Sequence, residues 1–228
     1  MSLVVRSLSK VYGPDKGLFL VSFVVKIGEV VAIVGHNGAG KSTLLKMLAN
    51  WIQPDSGEIL VNGLNLKNRQ AFVKILGFVP EVPNLFEFFS VGYNLKIFAL
   101  LFGSPLSRVD EILKEFNLLA FKKMKVRTLS KGQRQRINIG RSLIANPAFL
   151  LLDEPTSGLD VDMTSEVYRM MIQMHKAGKT IIFTTHRPEE IKDLATRILA
   201  FKKGVLVFDG SPTDYFQTSF YKSLSPQL

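Results

Sequence analysis

The stretch Glu29-Val-Val-Ala-Ile-Val34, followed by Gly35-His36-Asn37-Gly38-Ala39-Gly40-Lys41-Ser42-Thr43, decides the fold of this chain. The first six residues form a short, β-branched apolar run, the pattern of a parallel strand buried on both faces. Gly35 to Gly40 break that run, and residues 41–50 then show the apolar periodicity of a helix. Residues 35–42 match G-x-x-x-x-G-K-[ST], a loop that wraps polyphosphate. The glycines let backbone N–H groups curl round the β- and γ-phosphates with no Cβ in the way. The N-terminus of the following helix adds its dipole to the same anion. Lys41 supplies a point charge, and Ser42 supplies a hydroxyl ligand for magnesium. Such an octamer can also be an ordinary Gly-rich turn. Here it follows a buried strand and opens a helix, which is the context that phosphate binding requires. The candidate nucleotide-binding set is therefore Gly35, Asn37, Gly38, Ala39, Gly40, Lys41, Ser42 and Thr43, with ATP and magnesium as the expected ligands.

A second apolar run, Phe149-Leu-Leu-Leu152, ends in Asp153-Glu154. Parallel strands present residues at their C-terminal edge, where open α/β sheets bind ligands. Asp153 suits a magnesium-side role, and Glu154 is placed to polarise an attacking water as general base. Two solvated acids at a strand end would be the plain alternative if the phosphate loop were absent.

Outward from these two stretches, strands are expected at residues 3–11, 19–26 and 58–61. Later strands are expected at 148–152, 180–184, 197–201 and 205–208, with helices at 131–146 and 163–176. Residues 84–128 read as helices with no convincing strand, an inserted lobe and not a linker. The expected fold is a single α/β domain over residues 1–228. Its phosphate-loop core has a mainly parallel sheet with an antiparallel N-terminal part, over about 1–83 and 129–228, and a helical subdomain lies at about 84–128.

Bulk properties narrow the function. The chain has no cysteine, which excludes a disulfide framework and thiolate metal sites. The nearest approach to a membrane span, residues 95–102, contains Lys96 and is far short of the ~18 apolar residues that would cross a bilayer. The net charge is +10, and eight basic residues with no acid lie between residues 121 and 141. Such a run could bind nucleic acid or anionic lipid. A solvated basic helix face is the reading adopted, because beyond Phe121 no aromatic interleaves it to stack on bases.

Between the two strand ends lies Leu129-Ser130-Lys131-Gly132-Gln133, ahead of a basic helix; helix capping alone would account for the serine. Joined to Asp153-Glu154-Pro-Thr-Ser-Gly-Leu-Asp160 and to His186 after a Thr-Thr strand end, it completes an ordered set. In this the chain resembles an ATP-binding cassette (ABC) nucleotide-binding domain, from about residue 3 to residue 212. The resemblance implies that Tyr12 stacks on adenine, although strand-end packing would also explain it. Ser130, Lys131, Gly132 and Gln133 correspond to the signature that approaches the γ-phosphate of a partner's nucleotide. Asp160 corresponds to the loop that reaches across a head-to-tail dimer, and His186 to the histidine on the γ-phosphate. Lys41, Glu154 and His186 are then the expected catalytic residues, and Ser42, Asp153 and Glu81 the expected metal-side residues.

Two positions depart from the common pattern. Glu81 stands where a glutamine is usual, and Lys131 where a glycine is usual; both variants resemble cassette subunits of drug, lipid or polysaccharide exporters. Lys131 could face the partner's γ-phosphate or solvent. The resemblance implies an ATPase subunit on the inner face of the cell membrane, held there by a separate permease. It also implies a second nucleotide-binding domain as partner, a homodimer being the simplest form, and no nucleic acid. The permease is expected to dock near residues 81–102, with Phe86, Phe88 and Phe89 lining the groove. Phe98 and Phe102, spaced i and i+4, are assigned to the core of the lobe. A soluble cassette acting on ribosomes or DNA is the alternative, but those proteins usually carry two cassettes or a coiled-coil insertion. A phosphate-loop kinase or GTPase would leave the signature and His186 unexplained.

Overall fold

The computed structural model describes residues 2–14, 16–65 and 74–224. Alternating apolar residues at the start of the chain form two long strands, β1 (Ser2–Gly13) and β2 (Lys16–Lys26). Next come β3 (Val30–Val34), α1 (Lys41–Leu48), β4 (Ser56–Val61), β5 (Leu64–Asn65) and β6 (Leu76–Val79). The middle of the chain is helical, with α2 (Val91–Phe102), α3 (Ser107–Glu115) and α4 (Lys131–Ser142). Strand and helix then alternate through β7 (Phe149–Leu152), α5 (Val161–Lys176), β8 (Thr180–Thr184) and α6 (Pro188–Leu194). β9 (Arg197–Lys202), β10 (Val205–Gly210), α7 (Pro212–Gln217) and α8 (Ser219–Leu224) follow.

The strands make two sheets. One is antiparallel, in the order β2-β1-β4-β5; the other has six strands in the order β10-β9-β3-β8-β7-β6. Only the β10–β9 pair of the larger sheet is antiparallel. This is the mainly parallel α/β architecture with an antiparallel N-terminal part that the sequence predicts.

All five residues of β3 are buried, so it needs a layer on each face. Because side chains alternate along a strand, the larger sheet divides its residues between two cores. Val31, Ile33, Phe149, Leu151, Ile182 and Leu199 pack with α1 and the antiparallel sheet. Val30, Ala32, Leu150, Leu152, Ile181 and Ile198 pack with the helices of the opposite side. The same alternation leaves the backbone between the two layers, and the strand ends emerge at one edge. That edge carries Gly35, Asp153 and Thr185.

Residues 84–128 contain α2, α3, the short 3-10 turns Leu119–Phe121 and Val126–Thr128, and an isolated bridge between Ser90 and Lys125. The basic run around them is dispersed. Lys122 pairs with Asp110, Arg134 with Glu87 and Arg136 with Glu166, while Arg141 is buried.

β6 has no sequence signal of its own, being four residues long and interrupted by Gly77. It is recruited as the sheet's edge by pairing with β7. A Cβ at Gly77 would lie 2.5 Å from the Ser142 carbonyl oxygen and 3.0 Å from Leu150 and Pro147. Backbone on one side and a strand on the other leave nothing to yield. Gly77→Ala is expected to lower stability by about 1–3 kcal/mol, measured by denaturant unfolding.

Candidate functional site

The apolar pattern of β3 delivers the phosphate loop to the C-terminal edge of the sheet, between β8 and β9. Gly38, at φ +81, has open space where a Cβ would stand, so backbone N–H groups on that side are accessible to an anion. Gly40, at φ +97, ends the loop and caps α1; a side chain there would meet the Gly17 carbonyl at 2.9 Å. Ala39 is buried, Asn37 is exposed, and Thr43 lies in the first turn of α1.

Lys41 is 6% exposed, and its Nζ donates to the carbonyls of Gly35 at 2.9 Å and His36 at 3.3 Å. Burial pulls its pKa below the usual lysine range, opposed by Glu154, Asp153 and Glu81. Three acids therefore act on the lysine from the ends of β6 and β7.

Asp153 is 3% exposed, and one carboxylate oxygen accepts two hydroxyl protons. Ser42 Oγ donates at 3.0 Å and Thr184 Oγ1 at 2.7 Å. Thr184 Oγ1 also accepts the backbone N–H of Glu154 at 2.8 Å. Thr184 is a residue that the sequence reading passed over; its signal was its place in the Thr-Thr pair before His186. Glu154 sits at φ +43, a left-handed conformation uncommon for a residue with a side chain. That turn brings its Oε2 to 3.2 Å from Nδ1 of His186. Ser157 donates to Glu81 Oε1 at 3.2 Å, so the exposed Glu81 is tied to the turn that follows Glu154.

Magnesium fits this arrangement. Ser42 and Asp153 offer hard oxygen donors side by side, and nucleotide enzymes bind the ion through one or two such ligands plus phosphate oxygens. Among the described residues no cluster of three or more His, Cys, Asp or Glu forms a cage made of protein alone.

Tyr12 is exposed near the end of β1. Its neighbour Val11 pairs with Gly17, whose carbonyl flanks Gly40, which puts Tyr12 beside the phosphate loop. His36, Asn37, His186, Tyr215 and Tyr221 line a hollow of about 620 Å³ on another side of the loop.

A second cluster forms at the start of α4. Ser130 caps the helix in a reciprocal box with Gln133: its Oγ accepts the Gln133 N–H, and Gln133 Oε1 accepts the Ser130 N–H. The capping reading of Ser130 is thus correct as far as it goes, and the hydroxyl proton remains available to an acceptor. Gly132 lies against Met163, where a Cβ would stand 2.1 Å from the sulfur. Nζ of Lys131 rests close over Gly158 of its own chain, so Lys131 and the Asp160 turn belong to one surface. Asp160 caps α5 by accepting the Met163 N–H at 2.8 Å. Among the described residues, no hydrogen bond joins this cluster to the phosphate loop.

α4 also links the reaction edge to the helical region. Gln135 donates to the Pro155 carbonyl at 2.7 Å, and Asn138 to the Pro80 carbonyl at 3.0 Å. Arg141 donates to Asn138 Oδ1 at 2.8 Å and to the Asn84 carbonyl at 2.6 Å. Burial pulls Arg141 down to about 10. These three residues were also missed; spaced i, i+3 and i+6, they share one face of the helix.

Arg141 stands at the wall of a cleft of about 380 Å³ between α2 and the sheet. Phe86 and Trp51 line it, and so do Phe98 and Phe102. The assignment of the last two to the lobe core holds for Phe102, which is half-buried and packs against the core formed with Val91, Leu95 and Ala99. It is corrected for Phe98, which is half-buried at the edge of that face. Phe88 is 72% exposed, with the Arg127 guanidinium 5.5 Å from its ring, and Phe89 packs on Tyr93; both lie outside this cleft. The buried Asn94 holds this loop by accepting the Phe86 N–H and donating to the Phe86 and Ser90 carbonyls.

Comparison with known proteins adds the deciding observation: the family model described as ABC transporter matches residues 18–157. The chain belongs to the ABC transporter family. Among its relatives, the linearmycin resistance ATP-binding protein LnrL of Bacillus subtilis is 34% identical, covering 93% of this chain and 70% of that protein. The Nod factor export ATP-binding protein I of Rhizobium etli is 34% identical, covering 91% and 67%. Among solved structures, a dimeric ATP-binding cassette in a post-hydrolysis state with ADP and Pi superposes with a TM-score of 0.82. It is 26% identical, and the match covers 92% of this chain and 98% of that one. As an ABC ATPase, the chain uses ATP with magnesium. Lys41→Ala is expected to abolish most nucleotide binding, because a bound polyphosphate loses its buried charge partner. Titration with a fluorescent ATP analogue measures it, and wild-type affinity would overturn the phosphate-loop assignment.

Proposed function

We propose that this chain is the ATP-hydrolysing subunit of an exporter, acting as a head-to-tail dimer that drives a separate membrane permease from the cytoplasmic face. One domain is proposed, with residues 84–128 as its helical part. The observation that carries the dimer is the separation of the two clusters. The loop at residues 35–43 with Asp153, Glu154 and His186 surrounds one end of a nucleotide. Ser130, Lys131, Gly132, Gln133 and Asp160 form a separate surface that can meet the nucleotide of a second copy. The solved dimer of a similar cassette bound to ADP and Pi supports dimerisation.

In this reading Tyr12 stacks on the base while the loop and Lys41 hold the β- and γ-phosphates. Ser42 and Asp153, with Glu81, would hold magnesium, and the ion would supply charge neutralisation for the phosphates. Glu154 takes a proton from water as the water oxygen bonds to the γ-phosphorus. The bond from that phosphorus to the bridging oxygen breaks, releasing ADP and phosphate. His186, held at 3.2 Å from Glu154, donates toward the γ-phosphate. Glu154→Gln preserves size but cannot accept the proton, a loss of about 10²–10⁴-fold in turnover. The expected result is intact ATP affinity with a stable ATP-bound dimer in gel filtration. A monomer that hydrolyses ATP at the wild-type rate would remove Glu154 from this role.

Export is supported by the Nod factor export relative and by Glu81 in place of glutamine. Among the described residues no helix is long and apolar enough to cross a membrane, which is consistent with a permease on another chain. The cleft beside Arg141 is the proposed docking groove. Its exposed rings, Trp51 at 51% and Phe86 at 45%, have the character of interface hot spots. Trp51→Ser combined with Phe86→Ser is expected to release the subunit from permease-containing membranes while its melting temperature and basal ATPase rate stay near wild type. Retention on those membranes would place the permease elsewhere.

A further inference from the structure

Glu190 lies in the first turn of α6, where an acid normally faces solvent and complements the helix dipole. Here the side chain turns inward and is 1% exposed. Among the described residues it forms no ion pair. Its partners are two hydroxyls: Thr156 Oγ1 donates to its Oε1, and Tyr168 of α5 hydrogen-bonds to it as well. A buried carboxylate with neutral partners is costly, so its site calls for an explanation beyond helix capping.

The explanation lies in what the two ends of this contact hold. Thr156 is two residues beyond Glu154, in a turn closed by the Ser157 N–H on the Glu154 carbonyl at 3.0 Å. Glu190 is four residues beyond His186, across a short link in which the Arg187 N–H donates to Thr185 Oγ1 at 3.0 Å. The strand ends themselves are joined by Thr184. Beyond the strands, Thr156–Glu190 is the side-chain hydrogen bond that ties the turn after β7 to α6 among the described residues. It closes a ring that runs from Glu154 through Thr156, Glu190 and His186 back to Glu154, whose last contact is the 3.2 Å pair.

We infer that Glu190 is a positioning residue for hydrolysis: by clasping Thr156 it sets His186 against Glu154. The inference rests on the proposed roles of Glu154 and His186. Without the clasp, α6 can shift relative to the turn after β7 and His186 loses its fixed distance, while the phosphate loop and Tyr12 are untouched. The effect therefore falls on turnover and not on nucleotide affinity.

The test is a double-mutant cycle on the full chain, with kcat and KM for magnesium-ATP measured for Glu190→Leu, His186→Ala and the pair. Glu190→Leu, which has no acceptor for Thr156, is expected to lower kcat about tenfold or more with KM within about twofold, and to add less than about twofold when His186 is already alanine. Thr156→Val is expected to reproduce Glu190→Leu, and Thr156→Ser, which keeps the hydroxyl, to retain wild-type kcat. The threonine pair carries the same comparison if Glu190→Leu does not fold. Equal losses of kcat in both backgrounds, or Thr156→Val at the wild-type rate, overturn the inference. Wild-type turnover by His186→Ala overturns the role of His186 beneath it, and the inference with it.

Discussion

The buried carboxylate of Asp153 is the contact on which the arrangement of the reaction edge depends. It leaves water at the end of β7 and accepts protons from Ser42 on α1 and Thr184 on β8. A carboxylate in that setting is tolerable because its oxygen is hydrogen-bonded. In exchange, three elements that are far apart in sequence are locked in register at one point. Thr184 extends the lock by accepting the Glu154 N–H, which orients the turn carrying the proposed base. The hydrophobic layers on either face of the sheet make this precision possible, since the strands that deliver these residues cannot slide without exposing buried side chains.

From that point polar contacts run outward in two directions. One passes through Thr156 to Glu190 and returns to His186. The other passes through Gln135, Asn138 and Arg141 to the rim of the cleft that holds Phe86 and Phe98. Buried networks of this kind hold their geometry because every broken bond leaves a desolvated group unpaired. The face of α4 that carries the second route also begins at the signature, so a single helix touches the proposed partner surface, the reaction edge and the cleft. Displacement of the helix at one of these places would be felt at the others.

Much of this was legible in the sequence. The wholly apolar runs at β3, β7 and β8 identified a buried parallel sheet, because only a strand covered on both faces lacks polar alternation. The glycine spacing before Lys41 identified the phosphate loop through backbone geometry, and the acids after β7 identified the edge at which it would face its partners. Local chemistry was sufficient there. β6 was not legible, since a four-residue strand with a glycine has no periodicity and exists by pairing with β7. The C-terminal helices α7 and α8 were not anticipated either; Tyr215 is nevertheless 1% exposed, buried against Phe208 and its aromatic neighbours.

By itself the sequence determined the secondary elements with strong periodicity, the glycine-rich phosphate loop and the acids at the end of β7, each of which follows from contacts within a few residues or from a residue's own chemistry. His186 was singled out through the family resemblance. Tertiary structure alone decided which aromatic rings face the cleft: Trp51, Phe86, Phe98 and Phe102 line it, and Phe102 also packs on the core. It also decided that Lys131 rests on Gly158 of its own chain, and that Thr184, Asn138, Arg141 and Glu190 are the residues holding the site together. Helix orientation and the direction of a buried side chain are set by the packing of distant segments, and no local pattern in the chain encodes that packing.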